Sequence, residues 1–192
     1  MRKTLLLALL LSMLFITGTF AQSDSVRITT KYENFVNNGL FIKIIDTKPI
    51  STSLSFGPKF IKSFVRKVIT EHGINYYLVL TNKNEYLGYR PKGIDNAFIE
   101  YSDLKEINKA IDKLIKDEPN DCELQPHYLE NFFKINDGFI VGYTVSKKKT
   151  SWLIRLNESN LSFITNIDYK EKLFEILNNA QKDIEEMMAK DK

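Results

Sequence analysis

The chain is poor in the residue types from which most catalytic and metal sites are built. It contains one cysteine, Cys122, and two histidines, His72 and His127, among 192 residues. A single cysteine excludes an internal disulfide. The sequence also lacks a glycine-rich phosphate loop and the G-x-S-x-G, H-E-x-x-H and C-x-x-C patterns. These absences argue against the common nucleotide-binding, serine-hydrolase, zinc-peptidase and thiol-redox chemistries.

The first 21 residues have the layout of a secretory signal peptide. Arg2 and Lys3 precede an apolar run at residues 5–16, and small residues occupy the third and first positions before a cut after Ala21. The run is shorter than the about 20 residues that a membrane span needs. We therefore predict cleavage and export to the periplasm or the cell exterior, with an uncleaved N-terminal anchor as the alternative. No later segment is apolar enough to predict a membrane span.

Removal of this segment leaves a small chain of almost neutral charge. Of the 192 residues 171 remain, and the formal net charge falls from +3 to +1, because the segment contains Arg2 and Lys3 and no acidic residue. A chain of that length buries roughly 70% of its unfolded surface, which suits one domain. Near neutrality gives no electrostatic case for nucleic acid. We expect a protein or small-molecule partner.

The mature chain resembles itself at a shift of 65 residues. Eight of the 34 positions at 73–106 are identical to those at 138–171, where chance gives about two at typical residue frequencies. The matched residues also take the same predicted roles. This pattern favours two tandem β-β-β-β-α units, at residues 59–116 and 127–192. The matches include Gly73 with Gly138, Lys83 with Lys148, Arg90 with Arg155, Phe98 with Phe163 and Asp103 with Asp168.

Each predicted unit contains four strands. Asp137-Gly138 between apolar runs is a strong hairpin signal. A further strand, Leu40–Asp46, lies in the N-terminal segment 22–58, and residues 117–126, which contain Pro119, are predicted to be a linker. The predicted strands are Lys59–Thr70, Ile74–Leu80, Tyr86–Arg90 and Ala97–Tyr101, then His127–Asn136, Phe139–Val145, Ser151–Leu156 and Ser162–Asn166.

Each unit ends in a predicted amphipathic helix. Asp103 with Glu106, and Asp168 with Glu171, have the spacing of a capping box, in which the Asp accepts from a free backbone N–H. Apolar residues then recur at three- and four-residue spacing. We predict an α+β fold with a mostly antiparallel sheet and the helices on one face. The apolar positions are Leu104, Ile107, Ile111 and Leu114, and Tyr169, Leu173, Leu177, Ala180, Ile184 and Met187.

The run from Ala97 to Leu114, the Asp137-Gly138 hairpin and the second capped helix together resemble an uncharacterised family of small, often exported bacterial proteins. The resemblance covers roughly residues 60–188. It implies a duplicated strand–helix fold and no activity, cofactor or catalytic residue. The basic tip at residues 147–149 and the Cys122 linker depart from the family pattern.

Two groups of residues were weighed as chemical sites. Asp121, Cys122, Glu123 and His127 could form a thiolate nucleophile or bind a soft metal. They lie in a predicted linker, and no further ligand residue is near in sequence. The paired carboxylates of the two helix starts could act in acid–base chemistry, but capping already accounts for them. We therefore predict a protein that is not an enzyme and has no metal or cofactor.

Strand alternation predicts a contact surface. If Ile74, Tyr76, Leu78 and Leu80 face the helices, the residues between them lie on the other face. The predicted contact residues on that helix-free face are Arg90, Arg155, Tyr77 and Tyr86, because Arg and Tyr most often anchor interfaces. An ordinary solvated sheet face is the alternative. The predicted role is binding or protein–protein interaction; the alternatives are a secreted enzyme inhibitor that docks through this face and an enzyme that uses Cys122 and His127.

Overall fold

The part of the chain that the structure describes contains three helices and nine strands. The structure is a computed structural model, and it describes residues 29–47, 50, 54–56, 59–82, 95–124, 127–157, 163–165 and 170–191. The helices are α1 (Lys31–Asn37), α2 (Tyr101–Glu123) and α3 (Lys170–Lys190). Over these ranges, no helix combines the length and the apolar character needed to cross a membrane.

Sheet 1 is formed by the first five strands. It has the order β1-β3-β4-β5, with the short β2 beside β3, and every pairing is antiparallel. The long hairpin of β3 and β4 turns at Glu71-His72, next to the predicted turn, and Gly73 follows at a φ of 131°. The strands are β1 (Ile42–Asp46), β2 (Leu54–Phe56), β3 (Lys59–Thr70), β4 (Gly73–Asn82) and β5 (Asp95–Glu100).

Sheet 2 is formed by the last four strands, in the order β6-β7-β8-β9, again antiparallel. The Asp137-Gly138 hairpin is confirmed: Gly138 has a φ of 87°, and its N–H donates to the carbonyl of Ile135 at 3.0 Å. The fold is therefore α+β, with two antiparallel sheets instead of one. The strands are β6 (Leu129–Lys134), β7 (Ile140–Ser146), β8 (Lys149–Arg155) and β9 (Phe163–Thr165).

The two predicted units differ in strand order. In sheet 1, β4 pairs directly with β5, from Tyr77 opposite Glu100 to Asn82 opposite Asp95. In sheet 2, β8 lies between β7 and β9, which are the counterparts of β4 and β5. The predicted strand at 86–90 falls outside the described residues, and the β4–β5 pairing leaves it no place between those strands. The tandem β-β-β-β-α description is therefore not confirmed.

One main hydrophobic core joins both sheets to α2 and α3. The predicted apolar faces of both long helices are confirmed where the structure describes them, except that Tyr169 lies outside the described residues. The predicted inward row of β7 also enters this core, and that of β4 does so from Tyr76 onward, whereas Ile74 at the start of β4 is exposed, contrary to the prediction. The core includes Tyr76, Leu78, Leu80, Leu104, Ile107, Ile111, Leu114, Val141, Tyr143, Val145, Leu173, Leu177, Ala180 and Ile184.

The long helices interlock the two halves. Helix α2 contacts β4 and β5 of sheet 1 and also β6, β7 and β8 of sheet 2, while α3 contacts β3 and β4 of sheet 1. Just beyond α3, the Asp191 carboxylate accepts a hydrogen bond from Lys67 Nζ at 2.6 Å and another from the Tyr76 hydroxyl. Helix α2, which follows sheet 1 in sequence, therefore covers part of sheet 2, and α3, which follows sheet 2, covers part of sheet 1.

The predicted linker at residues 117–126 is wrong over its first part. Helix α2 continues through Pro119 to Glu123, although an interior proline removes a backbone hydrogen bond and costs about 3 kcal/mol. Tertiary contacts of this last stretch offset that cost. Lys170 Nζ lies 2.7 Å from a carboxylate oxygen of Glu118, and the Asp121 carboxylate accepts a hydrogen bond from the buried Tyr143 hydroxyl at 2.7 Å.

The capping role predicted for Asp103 is also wrong. The N-cap of α2 is Glu100, whose side chain makes no capping hydrogen bond, so Asp103 lies within the first turn. Its carboxylate accepts instead from Lys31 Nζ at 2.8 Å. Glu106 does not reach back to the helix start; it accepts from Lys109 Nζ at 3.0 Å.

For the second predicted capping box, Asp168 lies outside the described residues. Glu171 is exposed in the first turn of α3, where a carboxylate is favourable toward the helix dipole.

Helix α1 is the element that the sequence analysis missed, and it contradicts the expectation that the helices lie on one face. It packs against β3 and β5, on the side of sheet 1 opposite the main core. It starts with a capping box: the Glu33 N–H donates to Thr30 Oγ1, and the Thr30 N–H donates to the Glu33 carboxylate, both at 3.1 Å. Thr30-x-x-Glu33 ahead of Phe35 and Val36 was the available sequence signal.

Candidate binding surface

Strand β1 forms an exposed apolar edge of sheet 1. It pairs with β3 on one side, and among the described strands none pairs with its other side. All five of its residues are exposed. A cluster of exposed large apolar side chains is a candidate interaction site. The exposed fractions are 101% for Leu40, 59% for Phe41, 40% for Ile42, 46% for Ile44 and 37% for Ile45.

The backbone N–H groups of β1 point alternately toward β3 and toward the outer edge. The Thr47 N–H donates to the Val65 carbonyl at 2.8 Å, which fixes the direction of the strand's hydrogen bonds. Two-residue alternation then directs the N–H groups of Lys43 and Ile45 toward β3. The N–H groups of Ile42, Ile44 and Asp46 point away from the sheet by the same rule. As far as the described residues go, the outer edge therefore offers a row of unpaired backbone donors and acceptors beside apolar side chains.

Two carboxylates fix the ends of this strand. At its start, Glu71 accepts from the backbone N–H groups of Leu40 at 2.6 Å and Phe41 at 3.2 Å. The Leu40 N–H lowers the pKa of Glu71 below its ordinary value. At its end, Asp46 accepts two hydrogen bonds from Arg66, at 2.6 and 3.0 Å. The bidentate pair raises the pKa of Arg66 and holds the strand in register.

The predicted contact residue Tyr77 is not available to a partner. Alternation places it on the side of sheet 1 opposite the main core, as expected, but it is fully buried there. Helix α1 covers it: the Tyr32 ring packs edge-on against the Tyr77 ring, with centroids 5.2 Å apart. Burial raises the pKa of Tyr77 to about 12. The expectation of a helix-free face was wrong here because the N-terminal segment folds back over it.

The remaining predicted contact residues are only partly placed. Arg90 and Tyr86 lie outside the described residues. Arg155 lies on β8 between Ile154 and Leu156, whose side chains enter the main core, so it points to the outer face of sheet 2. It is half-buried, and its Nε has no hydrogen-bond partner within the described ranges. Of the four predicted contact residues the structure therefore describes only Tyr77 and Arg155, and these two lie on different sheets.

The second group, Asp121, Cys122, Glu123 and His127, does not assemble into a reactive site in the structure. Asp121 binds the Tyr143 hydroxyl and the Asn131 side-chain amide, at 2.7 and 3.1 Å. The Cys122 thiol donates to the backbone carbonyl of Lys148 at 3.3 Å.

Glu123 and His127 are exposed, and no hydrogen bond between described residues joins Cys122 to His127. Over the same ranges, no group of three or more His, Cys, Asp or Glu side chains is placed to hold a metal.

Sequence reasoning missed Arg66 and the exposure of β1. The strand itself was predicted, but its neighbours were not, and a row of isoleucines looks the same in a buried strand and in an open edge. Comparison with known protein families, with curated proteins and with solved structures found no match to this chain.

Proposed function

We propose that this protein is exported and binds another protein by pairing an extended segment of that partner with the outer edge of β1. The observation that carries the proposal is the set of exposed apolar side chains of β1 beside a row of backbone groups that no described strand pairs. Main-chain hydrogen bonds would supply affinity, and alternate side chains would supply selectivity, as in other cases of strand addition. The signal-like segment at residues 1–21 supports export.

The surface chemistry favours a protein over a nucleic acid. Residues 40–46 present one cation, Lys43, and five exposed apolar side chains, from Leu40, Phe41, Ile42, Ile44 and Ile45. A nucleic-acid surface needs several cations to neutralise phosphates, whereas an apolar strand edge suits an extended peptide. Asp46 is already paired with Arg66, so it is not a free charge at this edge.

We also propose that the two halves of the chain derive from one β-β-β-β-α unit. Support comes from the two matched glycines, Gly73 and Gly138, which both follow the first hairpin strand and both have positive φ. The two long helices occupy matched places at the end of each half, and their apolar faces enter one core.

The test uses the mature chain as bait in the exported fraction of its own source. The edge variant is Ile42→Lys, and the matched control is Ile115→Lys on α2, because both isoleucines are 40% exposed. A partner retained by the wild type and by the control, and lost by the edge variant, supports the proposal. Equal retention by all three baits, or no retention by the wild type, contradicts it.

A further inference from the structure

The outer face of sheet 1 holds a second apolar cluster that is separate from the main core. Val68, Tyr77 and Val79 are almost fully buried there, and Phe64 and Phe98 pack against them. None of these residues belongs to the core shared by the two sheets and the long helices. The cluster is closed from outside by Tyr32, Phe35 and Val36 of α1. The face of sheet 1 beneath α1 is therefore lined by aromatic and β-branched side chains, and this α1-covered face is called the groove below.

Helix α1 occupies this groove in the manner of a docked peptide. It has seven residues, and none of them is fully buried. A helix of that length is not stable alone in water, so its contacts with sheet 1 hold it in place. The Tyr32 ring stacks on Phe98 with centroids 3.9 Å apart and planes 7° apart. Its hydroxyl accepts a hydrogen bond from Arg66 Nη1 at 3.1 Å.

The groove also has a charged end. Lys31 Nζ lies 2.8 Å from Asp103 and 3.5 Å from a carboxylate oxygen of Glu100. The Lys31 backbone N–H donates to the Asp137 carboxylate at 3.0 Å. Three carboxylates therefore surround the first residue of the helix. A ligand complementary to this groove needs a cation at its first helical position, an aromatic hydroxyl next, and apolar residues three and four positions later.

We propose that this groove is an exchangeable helix-binding site, that α1 is its built-in competitor, and that the partner is an amphipathic helix of another protein with the Lys-Tyr-x-x-Phe-Val pattern. Because the second cluster is separate from the main core, α1 can leave without opening that core. The link from α1 to β1 is short, at residues 38–41, so the released helix stays nearby and competes at high effective concentration. This site is distinct from the β1 edge and stands whether or not that edge binds a partner.

The probe for the test is a fluorescently labelled synthetic peptide of residues 29–39, titrated into the full mature chain. Its anisotropy is measured with the wild type, with Tyr32→Ala, which loosens α1, and with Asn34→Ala, an exposed position on the same helix. We expect the peptide to bind Tyr32→Ala at least about ten-fold more tightly than the wild type, because a weakened tethered helix competes less. Asn34→Ala should match the wild type. A peptide with Ala in place of its Tyr should bind Tyr32→Ala at least about ten-fold more weakly.

Lys31→Ala is the second variant, and it should also strengthen peptide binding by removing the ion pairs of α1. Emission of Trp152, the single tryptophan, checks that the main core of each variant is intact. Equal peptide affinity in all variants, or no binding to either weakened variant, overturns the proposal. Sedimentation provides the last arm: dimers of Tyr32→Ala that do not bind the peptide would assign the groove to a second copy of the chain and contradict the proposed partner.

Discussion

Strands β1 and β6 each lie at the edge of a sheet, but they place their apolar side chains differently. In sheet 2, β6 turns Leu129, Asn131 and Phe133 inward and exposes the charged side chains of Glu130 and Lys134. In sheet 1, β1 exposes three isoleucines together with Lys43 and Asp46, and the Asp46 carboxylate is paired with Arg66 of the neighbouring strand. Charges on an edge strand oppose pairing with other chains, and exposed apolar side chains favour it. The two edges therefore differ in their apolar side chains: β6 turns Leu129 and Phe133 into the core, whereas β1 leaves its isoleucines exposed.

The two sheets also differ in the sequence separation of the contacts that stabilise them. Sheet 2 is supported largely by neighbouring segments, such as the Asp121, Asn131 and Tyr143 network. Sheet 1 depends on distant ones: α1 covers its outer face, and Asp191, the last described residue, binds Lys67 and Tyr76.

The packing at the two edges should respond differently to one added methyl group. At Gly142 in β7, a Cβ atom would lie 2.1 Å from the Asn131 carbonyl oxygen of β6, so Gly142→Ala must push β6 away. We expect a loss of about 3 kcal/mol or more in the free energy of unfolding. At Gly39, before β1, the closest atom is the Thr70 methyl at 3.1 Å, and Gly39→Ala should stay within about 1 kcal/mol. Urea denaturation measures both; similar losses would contradict the comparison.

The buried tyrosine hydroxyls of the two sheets should contribute differently to the free energy of unfolding. Tyr143 donates to the Asp121 carboxylate at 2.7 Å, which is a hydrogen bond to a charged group. The Tyr77 hydroxyl accepts from the neutral amide of Asn75 at 3.3 Å. We expect Tyr143→Phe to cost about 1.5 kcal/mol and Tyr77→Phe about 0.5 kcal/mol. A larger loss for Tyr77→Phe, measured by chemical denaturation, would reverse the assignment.

The hairpin turns of the two sheets differ in which residues occupy their positive-φ positions. Lys147 and Lys148 of the β7–β8 turn have φ values of 50° and 64°, a left-handed conformation that costs residues other than glycine energy. Replacing them with Asn and Gly, the residues this turn prefers, should stabilise the protein by about 1 kcal/mol. In sheet 1 a glycine, Gly73, already occupies the positive-φ position, so Gly73→Ala should destabilise by about 1 kcal/mol. A destabilised Asn-Gly variant in thermal unfolding would refute the turn geometry.

The contribution of Asp191 to the stability of sheet 1 should depend on pH. The hydrogen bond from Lys67, and then that from Tyr76, lower the pKa of Asp191 below its ordinary value of 3.8. A lowered folded-state pKa gives stability that is present above the unfolded-state value and lost as the pH falls through the folded-state value. Asp191→Asn should therefore lower the Tm at neutral pH, with a difference that closes below about pH 3.8. A difference that is constant across pH would contradict this role.

The sequence predicted most elements but not their partners. Alternation in β4 and the three- and four-residue spacing in α2 were readable because burial on one face imposes those periods. The direct β4–β5 pairing and the passage of α2 through Pro119 depend on contacts between residues far apart in the chain. No local signal carries that information.

For the candidate surfaces too, the local pattern was predictable and the tertiary contacts were not. Strand β1 was predicted as a strand, but its exposure depends on which neighbours it lacks. Tyr77 was placed on the correct face, yet it is covered by α1, whose capping box at Thr30 and Glu33 was overlooked. Local rules assign the face of a side chain, and tertiary contacts decide whether that face is free.

Amide hydrogen exchange along β1, resolved by NMR, tests the central claim that its outer edge is open and binds a partner. In the free mature protein we expect fast exchange at Ile42, Ile44 and Asp46, whose N–H groups point outward, and slow exchange at Lys43 and Ile45, whose N–H groups face β3. In the purified complex with the retained partner, the three fast amides should become protected. Slow exchange at Ile44 and Asp46 in the free protein, or unchanged fast exchange in the complex, would contradict the claim.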